Sequence, residues 1–248
     1  MKFKLEDYGP IDYRTWILGD KAREGANIKK SNILTSEELK IWDESIKYQD
    51  QRNDPGQGEI VTYFVIKLLN YLKGKREVAV PAAILHDTGF YGEDPTAWKK
   101  LVNSGANTDT EEHRRPHQNR GCLIAGRVLE NANYPEEYHN EIADIIGDHD
   151  TRKLPTTDSG KIVRAADLLW RVTYPCVQIY LPELSVKHAL TKLEKTSLNL
   201  KSPHTLGETE KQIARIELAN TLLFKFGKAA HQVLQENYLK ELNKVLLF

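Results

Sequence analysis

The sequence has 248 residues, of which 40% are hydrophobic, so it is long enough for one large domain with a sizeable core. Its 35 basic residues balance 35 acidic residues, which excludes the strongly basic surface of a general nucleic-acid-binding protein. The chain has no run of 18 apolar residues and its first residues have no apolar signal core, so we expect neither a membrane partner nor secretion. Cys122 and Cys176 are isolated, and we expect both to be buried, reduced thiols in a cytoplasmic protein.

The predicted elements are all helical. In chain order, TSEELKIWDESIKY opens with a capping signature at Thr35 or Ser36, and EIVTYFVIKLLNYL has helical apolar spacing. In EVAVPAAILHD and PHQNRGCLIAGRVLENA, Pro81 and Pro116 are expected in the first turn of a helix. EEYHNEIADIIGDHD and GKIVRAADLLWRV are further helical patterns. These patterns predict an all-α fold.

The tail from about Leu206 to Phe248 predicts two more helices, with a break near Gly227. Ala230, Leu234, Tyr238 and Leu242 mark one face of the second helix. Residues 88–115 differ from the rest because they contain only a short helical piece around Trp98. Long irregular connections are often functional lids, but a surface insertion explains this segment equally well.

Several polar residues are expected to point inward. Helix spacing places His86, His117, His149 and Asp167 on the apolar faces of four predicted helices, and Asp87 follows His86 directly. A single inward histidine or aspartate is usually structural. Five such residues without a shared partner would carry five desolvation penalties, most of which one or two bound cations would remove. Imidazole and carboxylate ligands suit iron, manganese, nickel, cobalt, zinc or magnesium, among which these residues do not distinguish.

The motifs LHDTG, RRPHQNRG, GDHDTR and VRAADLLWR together resemble those of the HD superfamily of metal-dependent phosphohydrolases. They contain His86 with Asp87, His117, His149 and Asp167, in the order that the family has. The resemblance runs from about residue 54 to residue 170, nearly half of the chain. It implies a helical HD-domain bundle around a metal centre, which we place in residues 51–175. Outside the resemblance we expect an N-terminal helical extension of residues 1–50 and C-terminal helices of residues 176–248 that pack on the core.

Gln57 stands where the family has its first histidine. Two roles are open for this residue: a weak metal ligand through its amide oxygen, or a capping residue at the third position of a helix that begins at Asp54. We favour capping, with a water between Gln57 and a metal. The resemblance implies that one metal is held by His86, Asp87 and Asp167 without a fourth protein ligand. It implies that a second metal is held by Asp87, His117 and His149.

The activity that the resemblance implies is hydrolysis of a phosphate ester on a nucleotide or another small phosphorylated metabolite. A cation would activate water and neutralise charge on the transferred group. Asp87 is expected to bridge the metals, and Asp150 to orient a histidine or a water, or only to cap a turn. His113 is not counted as a ligand, because Pro116 is expected to begin the helix between it and His117.

Four residues are candidates for substrate binding. Arg120, Arg152 and Lys153 are expected to bind phosphate oxygens, although solvated charges at helix ends are an equally good interpretation. Tyr91, within residues 88–115, could close over the substrate.

Two other functions are open. Some HD-like proteins hold two irons and oxidise an organic substrate, and a metal-poor relative could serve as a ligand-binding module, for which Gln57 is the main support. The formation of a homo-oligomer is left open.

Overall fold

The computed structural model describes residues 3–108, 110–197 and 206–234, which contain thirteen α-helices and several 3₁₀ turns but no β-strand. The predicted all-α fold is therefore confirmed. The helices are α1 Asp20–Arg23, α2 Ala26–Ser31, α3 Ser36–Ser45, α4 Gln57–Leu68, α5 Arg76–Leu85, α6 Ala97–Asn103, α7 Glu111–Asn131, α8 His139–Asp148, α9 Asp158–Trp170, α10 Tyr174–Tyr180, α11 Val186–Ser197, α12 Glu208–Phe226 and α13 Lys228–Leu234. Within this part of the chain, none of the helices combines the length and apolar character needed to cross a membrane.

The chain divides into two compact units. One consists of Ile17–Ala166, and the other of Met1–Trp16 together with Asp167–Phe248. By compactness, residues 17–50 therefore group with the helices that follow them. The boundaries that the sequence suggests near residues 50 and 175 stay predictions.

Helix α5 forms the centre of the unit Ile17–Ala166. Every residue from Val78 to Leu85 is buried, and α5 packs against α3, α4 and α8. A helix that is apolar on all sides belongs in the middle of a bundle. Because α5 ends at Leu85, it delivers the next two residues, His86 and Asp87, into the interior of the unit.

Helix α3 begins as the sequence predicts. Thr35 is its N-cap and forms a reciprocal capping box with Glu38: the Thr35 hydroxyl accepts from the Glu38 amide at 3.2 Å, and the Glu38 carboxylate accepts from the Thr35 amide at 2.8 Å. The burial and the reduced state of the two cysteines are also close to the prediction. Cys176 is buried, Cys122 is half-buried, and neither is in a disulfide.

The predicted positions of both prolines are wrong. Pro81 and Pro116 lie in the interiors of α5 and α7, which begin five residues before them. An interior proline leaves unpaired the carbonyl four residues earlier. For Pro81 this is the carbonyl of Glu77, which instead accepts a hydrogen bond of 2.8 Å from the Tyr134 hydroxyl. For Pro116 it is the carbonyl of Glu112, an exposed residue.

The 3₁₀ turn Thr88–Phe90 packs tightly against α7, and Gly89 makes this possible. A Cβ atom at Gly89 would overlap the His117 carbonyl and lie 2.6 Å from the Gly121 nitrogen. Only glycine fits between these backbones. The glycine of the HDTG motif therefore allows the turn that carries Asp87 to approach the helix that carries His117.

The segment of residues 88–115 is less irregular than predicted. It contains the turn Thr88–Phe90 and helix α6, which includes Trp98 as expected, and α7 already begins at Glu111. Its predicted role as a lid stays a prediction.

In the unit formed by Met1–Trp16 and Asp167–Phe248, α12 is extensively buried, with ten buried residues between Ile213 and Leu223. Its fully buried Glu217 accepts hydrogen bonds from the Tyr8 hydroxyl at 2.6 Å and from the Ile11 amide at 3.2 Å, which holds the N-terminal segment on the helix. The predicted break at Gly227 is confirmed, since α13 starts directly after it. Ala230 and Leu234 are buried on α13, whereas Tyr238 and Leu242 lie outside the described residues.

Candidate metal centre

The ends of α5 and α8 and the middle of α7 bring four ligand groups together. Asp87 follows α5, His117 lies on α7, and His149 and Asp150 follow α8. Each offers one nitrogen or oxygen atom, and these atoms all lie within 4.8 Å of one another. His86, His117 and His149 are buried, as their helical spacing predicts.

The distances within this group suit a single cation. His117 Nε2 lies 3.3 Å from Asp150 Oδ2 and 3.6 Å from Asp87 Oδ1. His149 Nε2 lies 3.4 Å and 3.5 Å from the same two oxygens. Two ligands about 2.1 Å from a tetrahedral ion are about 3.4 Å apart, so the four atoms fit the coordination distances of a first-row metal such as zinc.

The His149 ring is oriented by its backbone contacts. Its Nδ1 donates to the Ile146 carbonyl at 2.8 Å, which leaves Nε2 directed at the two carboxylates. Burial lowers the pKa of His149, but the Asp150 and Asp87 carboxylates outweigh it and raise the pKa above its ordinary value. A proton and a metal ion would therefore compete for Nε2.

Arg164 supports the same turn from α9. Its guanidinium donates to the carbonyls of His149 at 2.9 Å and of Asp148 at 3.0 Å, which fixes the backbone beyond the end of α8.

The surroundings of His117 favour a bound cation. It is 1% exposed, and neither of its ring nitrogens has a hydrogen-bond partner in the part of the chain that the structure describes. Its ring stacks on Phe90 with centroids 4.1 Å apart. Burial lowers the pKa of His117 despite the nearby Asp150 and Asp87, so the imidazole is neutral at pH 7. A buried ring nitrogen without a partner costs free energy, and a cation at Nε2 would offset this cost at that nitrogen.

Gln57 lies in the site and not in a helix cap, so the capping prediction is wrong. Helix α4 begins at Gln57, its N-cap is Gly56 with φ 88°, and no side chain caps it. The Gln57 amide Nε2 lies 2.9 Å from His86 Nε2 and donates to Asp87 Oδ2 at 3.0 Å. An amide oxygen in this place would face the carboxylate oxygen, so the amide presents its N–H groups to both residues. The Nδ1 atom of His86 donates to the Ala83 carbonyl at 2.7 Å, so His86 Nε2 accepts from Gln57.

Arg52, which the sequence analysis missed, binds Asp87. Its guanidinium donates to Asp87 Oδ2 at 2.6 Å and also pairs with Asp54 at 2.8 Å. The guanidinium carbon lies 4.4 Å from the ring centroid of Phe90. Burial raises the pKa of Asp87, but Arg52, His86 and His149 outweigh burial and hold the pKa well below its ordinary value.

Arg114, which the sequence analysis also missed, binds Asp150 as Arg52 binds Asp87. It donates to Asp150 Oδ2 at 2.8 Å and to the Thr108 carbonyl at 2.8 Å, and its guanidinium carbon lies 4.6 Å from the ring centroid of Trp98. Burial raises the pKa of Asp150, but His149 and Arg114 outweigh burial and hold the pKa well below its ordinary value. Asp150 is therefore a candidate ligand and not only a residue that orients its neighbours.

The candidate substrate-binding residues lie outside this cluster. Arg120 donates to the Gly89 carbonyl at 2.8 Å and pairs with Glu93, and Arg152 pairs with Asp148. Lys153 is exposed, and Tyr91 is 47% exposed with its ring edge against Tyr48. Their predicted roles in substrate binding stay predictions.

Two other residues, His113 and Asp167, are not part of this group of four ligand atoms. His113 lies within α7, so the reason for excluding it was wrong, but it is not part of the cluster of described ligand groups. Asp167 is the first residue of the other compact unit, and its role as a ligand stays a prediction.

The carboxylates of the site outnumber its guanidinium groups. Asp87, Asp150 and Asp54 are paired with the two guanidinium groups of Arg52 and Arg114. With neutral imidazoles, as ligation requires, this excess of carboxylate favours the binding of a cation.

Comparison with known proteins adds no further constraint: no family model, no curated protein and no solved structure matches this chain.

Proposed function

We propose that this protein is a metal-dependent phosphohydrolase of the HD type that acts on a nucleotide or another small phosphorylated metabolite. The observation that supports it most is the convergence of Asp87 Oδ1, Asp150 Oδ2, His117 Nε2 and His149 Nε2 at distances of 3.3 to 3.6 Å. His117 strengthens the argument, because among the described residues no group satisfies its ring nitrogens with good hydrogen-bond geometry, as a purely structural histidine would require.

The ligand set has two carboxylate oxygens and two imidazole nitrogens without a thiolate, which suits a hydrolytic metal more than a closed structural zinc site. A divalent cation held there would lower the pKa of a water molecule and withdraw charge from a phosphoryl oxygen. The chain's own residues supply the rest of the proposed chemistry.

Asp87 and Asp150 are suited to be ligands and not general bases. Their pKa values lie well below the ordinary range, so both stay ionised at neutral pH and hold a transferred proton poorly. Arg114 fixes the Asp150 carboxylate, and Arg164 fixes the turn of His149. These contacts preorganise the ligands before a cation binds.

A bound cation together with two shielded guanidinium groups would favour an anionic substrate. The side chains of Arg52 and Arg114 are 11% and 8% exposed. Their guanidinium carbons lie 5.7 Å and 4.6 Å from the ring centroid of Trp98. Cations in such a shielded place interact with phosphate more strongly than exposed ones do.

The test is phosphate release by the purified full chain. The protein is stripped with a chelator, reloaded separately with Mn²⁺, Zn²⁺, Fe²⁺, Co²⁺, Ni²⁺ or Mg²⁺, and offered a panel of nucleotides and sugar phosphates. We expect at least one metal to restore release of inorganic phosphate and the chelator to abolish it.

The matched variants are His117→Leu, which removes a candidate ligand, and Glu59→Gln, which changes a buried carboxyl group that hydrogen-bonds Asn27 and Ile28. Only the first is expected to lose activity. Equal phosphate release by both variants would contradict the proposal. Iron-dependent oxygen consumption without phosphate release would favour an oxygenase instead.

A further inference from the structure

The two oxygens of Asp87 have different surroundings. Oδ1 lies 3.5 Å from His149 Nε2 and 3.6 Å from His117 Nε2, on the side where the four ligand atoms meet. Oδ2 accepts hydrogen bonds from Arg52 at 2.6 Å and from Gln57 at 3.0 Å. A carboxylate that bridged two metal ions would offer one oxygen to each.

A second ion bound to Asp87 Oδ2 and His86 Nε2 would have to compete with donors that already contact these two atoms. Gln57 directs amide N–H groups at Asp87 Oδ2 and at His86 Nε2, so both of these acceptors already have donors. The Arg52 guanidinium already lies at Oδ2 and would repel a further cation. Binding of a metal there would require both donors to leave.

Arg52 is itself held firmly. Its second carboxylate partner, Asp54, has a side chain that is 2% exposed, and the guanidinium lies over the Phe90 ring. Moving Arg52 would leave the buried Asp54 without its partner, which is costly. The Oδ1 side is different, because the buried His117 has no hydrogen-bond partner among the described residues and is ready to accept a cation.

We propose that this centre holds a single metal ion, on the Oδ1 side of Asp87, and that Arg52 takes the place of a second ion on the Oδ2 side. The inference rests on the metal site of the proposed function but not on the reaction. Gln57 completes the arrangement, because a glutamine amide donates to Asp87 and His86 where a histidine would offer a lone pair to a metal.

The first experiment counts ions. The full chain is dialysed against an excess of Mn²⁺, the bound manganese is measured by elemental analysis, and electron paramagnetic resonance reports whether manganese ions are coupled. We expect one equivalent and an uncoupled spectrum. Two equivalents with a coupled spectrum would overturn the inference, and less than half an equivalent would overturn the metal centre itself.

The second experiment removes the two donors from the Oδ2 side of Asp87. The double variant Arg52→Ala/Gln57→His removes both donors and supplies an imidazole, so bound Mn²⁺ should rise from one to two equivalents with a coupled spectrum. Gln57→His alone should remain at one equivalent, because Arg52 still pairs with Asp87. One equivalent in a folded double variant would overturn the role of Arg52.

Arg76→Ala is the matched control, since it removes an arginine from another buried carboxylate, Glu38, in the same unit. It should bind one equivalent. Circular dichroism checks that each variant is folded, and the count on the unaltered protein tests the inference even if the double variant does not fold.

The outcomes separate this inference from the proposed function. One bound ion without release of phosphate from any substrate supports the single-ion centre and contradicts the phosphohydrolase. Two bound ions with phosphate release do the opposite.

Discussion

Two pairs of carboxyl groups in the unit Ile17–Ala166, the buried Asp50 and Glu59 and the partly buried Asp87 and Asp150, differ in what their oxygens contact. Asp50 and Glu59 accept hydrogen bonds from N–H groups: Asp50 from the Gly56 amide at 3.0 Å, and Glu59 from the Asn27 and Ile28 amides at 2.9 Å. In the other pair, Asp87 and Asp150 pair with guanidinium groups and face histidines.

The pKa values of the two pairs move in opposite directions. Burial raises the pKa of Asp50 to about 7 and that of Glu59 to about 7, because their hydrogen bonds only partly offset it. At Asp87 and Asp150, Arg52, Arg114 and the histidines outweigh burial and lower the pKa. Burial of a carboxyl group therefore does not mark a metal site by itself; the cationic partners and the histidines do.

The largest expected effect comes from removing His117, one of the histidines that Asp87 and Asp150 face. His117→Leu should weaken metal binding by more than about 100-fold, since even changes to outer partners of metal ligands cost up to about that factor. The metal-free variant should be more stable than the unaltered protein by about 1 kcal/mol, because the described residues leave the ring nitrogens of the buried His117 without a well-formed hydrogen bond. Equilibrium dialysis measures the first effect and urea unfolding in chelator the second. A variant that kept its metal would remove His117 from the centre.

Gly89→Ala should distort the contact that brings Asp87 beside His117. The added methyl group would overlap the His117 carbonyl, and overpacking of this kind costs about 2–3 kcal/mol. Urea unfolding measures the loss, with Gly126→Ala as the control because its Cβ would meet nothing within 4 Å. Equal stability of the two variants would show that the turn moves without cost.

Asp50 and Glu59 predict a pH dependence of stability that is opposite in sign to the one that Asp87 and Asp150 predict. Between an unfolded pKa near 4 and a folded pKa of about 7, Asp50 and Glu59 keep protons in the folded state that the unfolded state has released. Stability should therefore fall as the pH rises towards 7, by up to about 1.4 kcal/mol per pH unit for each group. Asp87 and Asp150 act conversely, since their contribution is present above the ordinary pKa and is lost in acid.

The variants Asp50→Asn and Glu59→Gln should each flatten the decline in stability between pH 5 and pH 7. Urea unfolding of the metal-free chain at several pH values measures it. An unchanged slope in both variants would show that these groups are ionised throughout that range.

The smallest expected effect comes from a change that weakens α5, the helix that precedes Asp87, without altering any carboxyl group. Tyr134→Phe removes the hydroxyl that binds the Glu77 carbonyl beside Pro81, and should cost about 1 kcal/mol of stability with metal binding unchanged. Tyr138→Phe, on a neighbouring ring, is the control and should be neutral. A neutral Tyr134→Phe would mean that solvent replaces the hydroxyl.

The sequence predicts the buried histidines because helical spacing determines which side chains face a core. His86, His117 and His149 each follow or precede apolar residues by three, four or seven positions, and each is buried. Arg114 lies three residues before His117 on the same helix, so the same rule could have found it. The expectation that Pro116 begins the helix hid this relation.

Arg52 and Gln57 could not be placed in the same way. Arg52 lies between helices, where no periodicity applies, and the length of its side chain lets it reach several partners. The capping signature at Asp54 fails because Gly56 adopts a left-handed conformation and α4 starts only after it. Contacts between a loop and a distant turn depend on tertiary packing, which a local pattern does not encode.

If the centre binds the single ion proposed, the position of Arg52 has a consequence for a chain deprived of metal. Its guanidinium is covalently attached, so neither a chelator nor starvation for metal can take its charge away from Asp87. Depletion would empty the histidine side alone and leave the aspartate anchored. Reloading would then require only the arrival of an ion and no rebuilding of the turn.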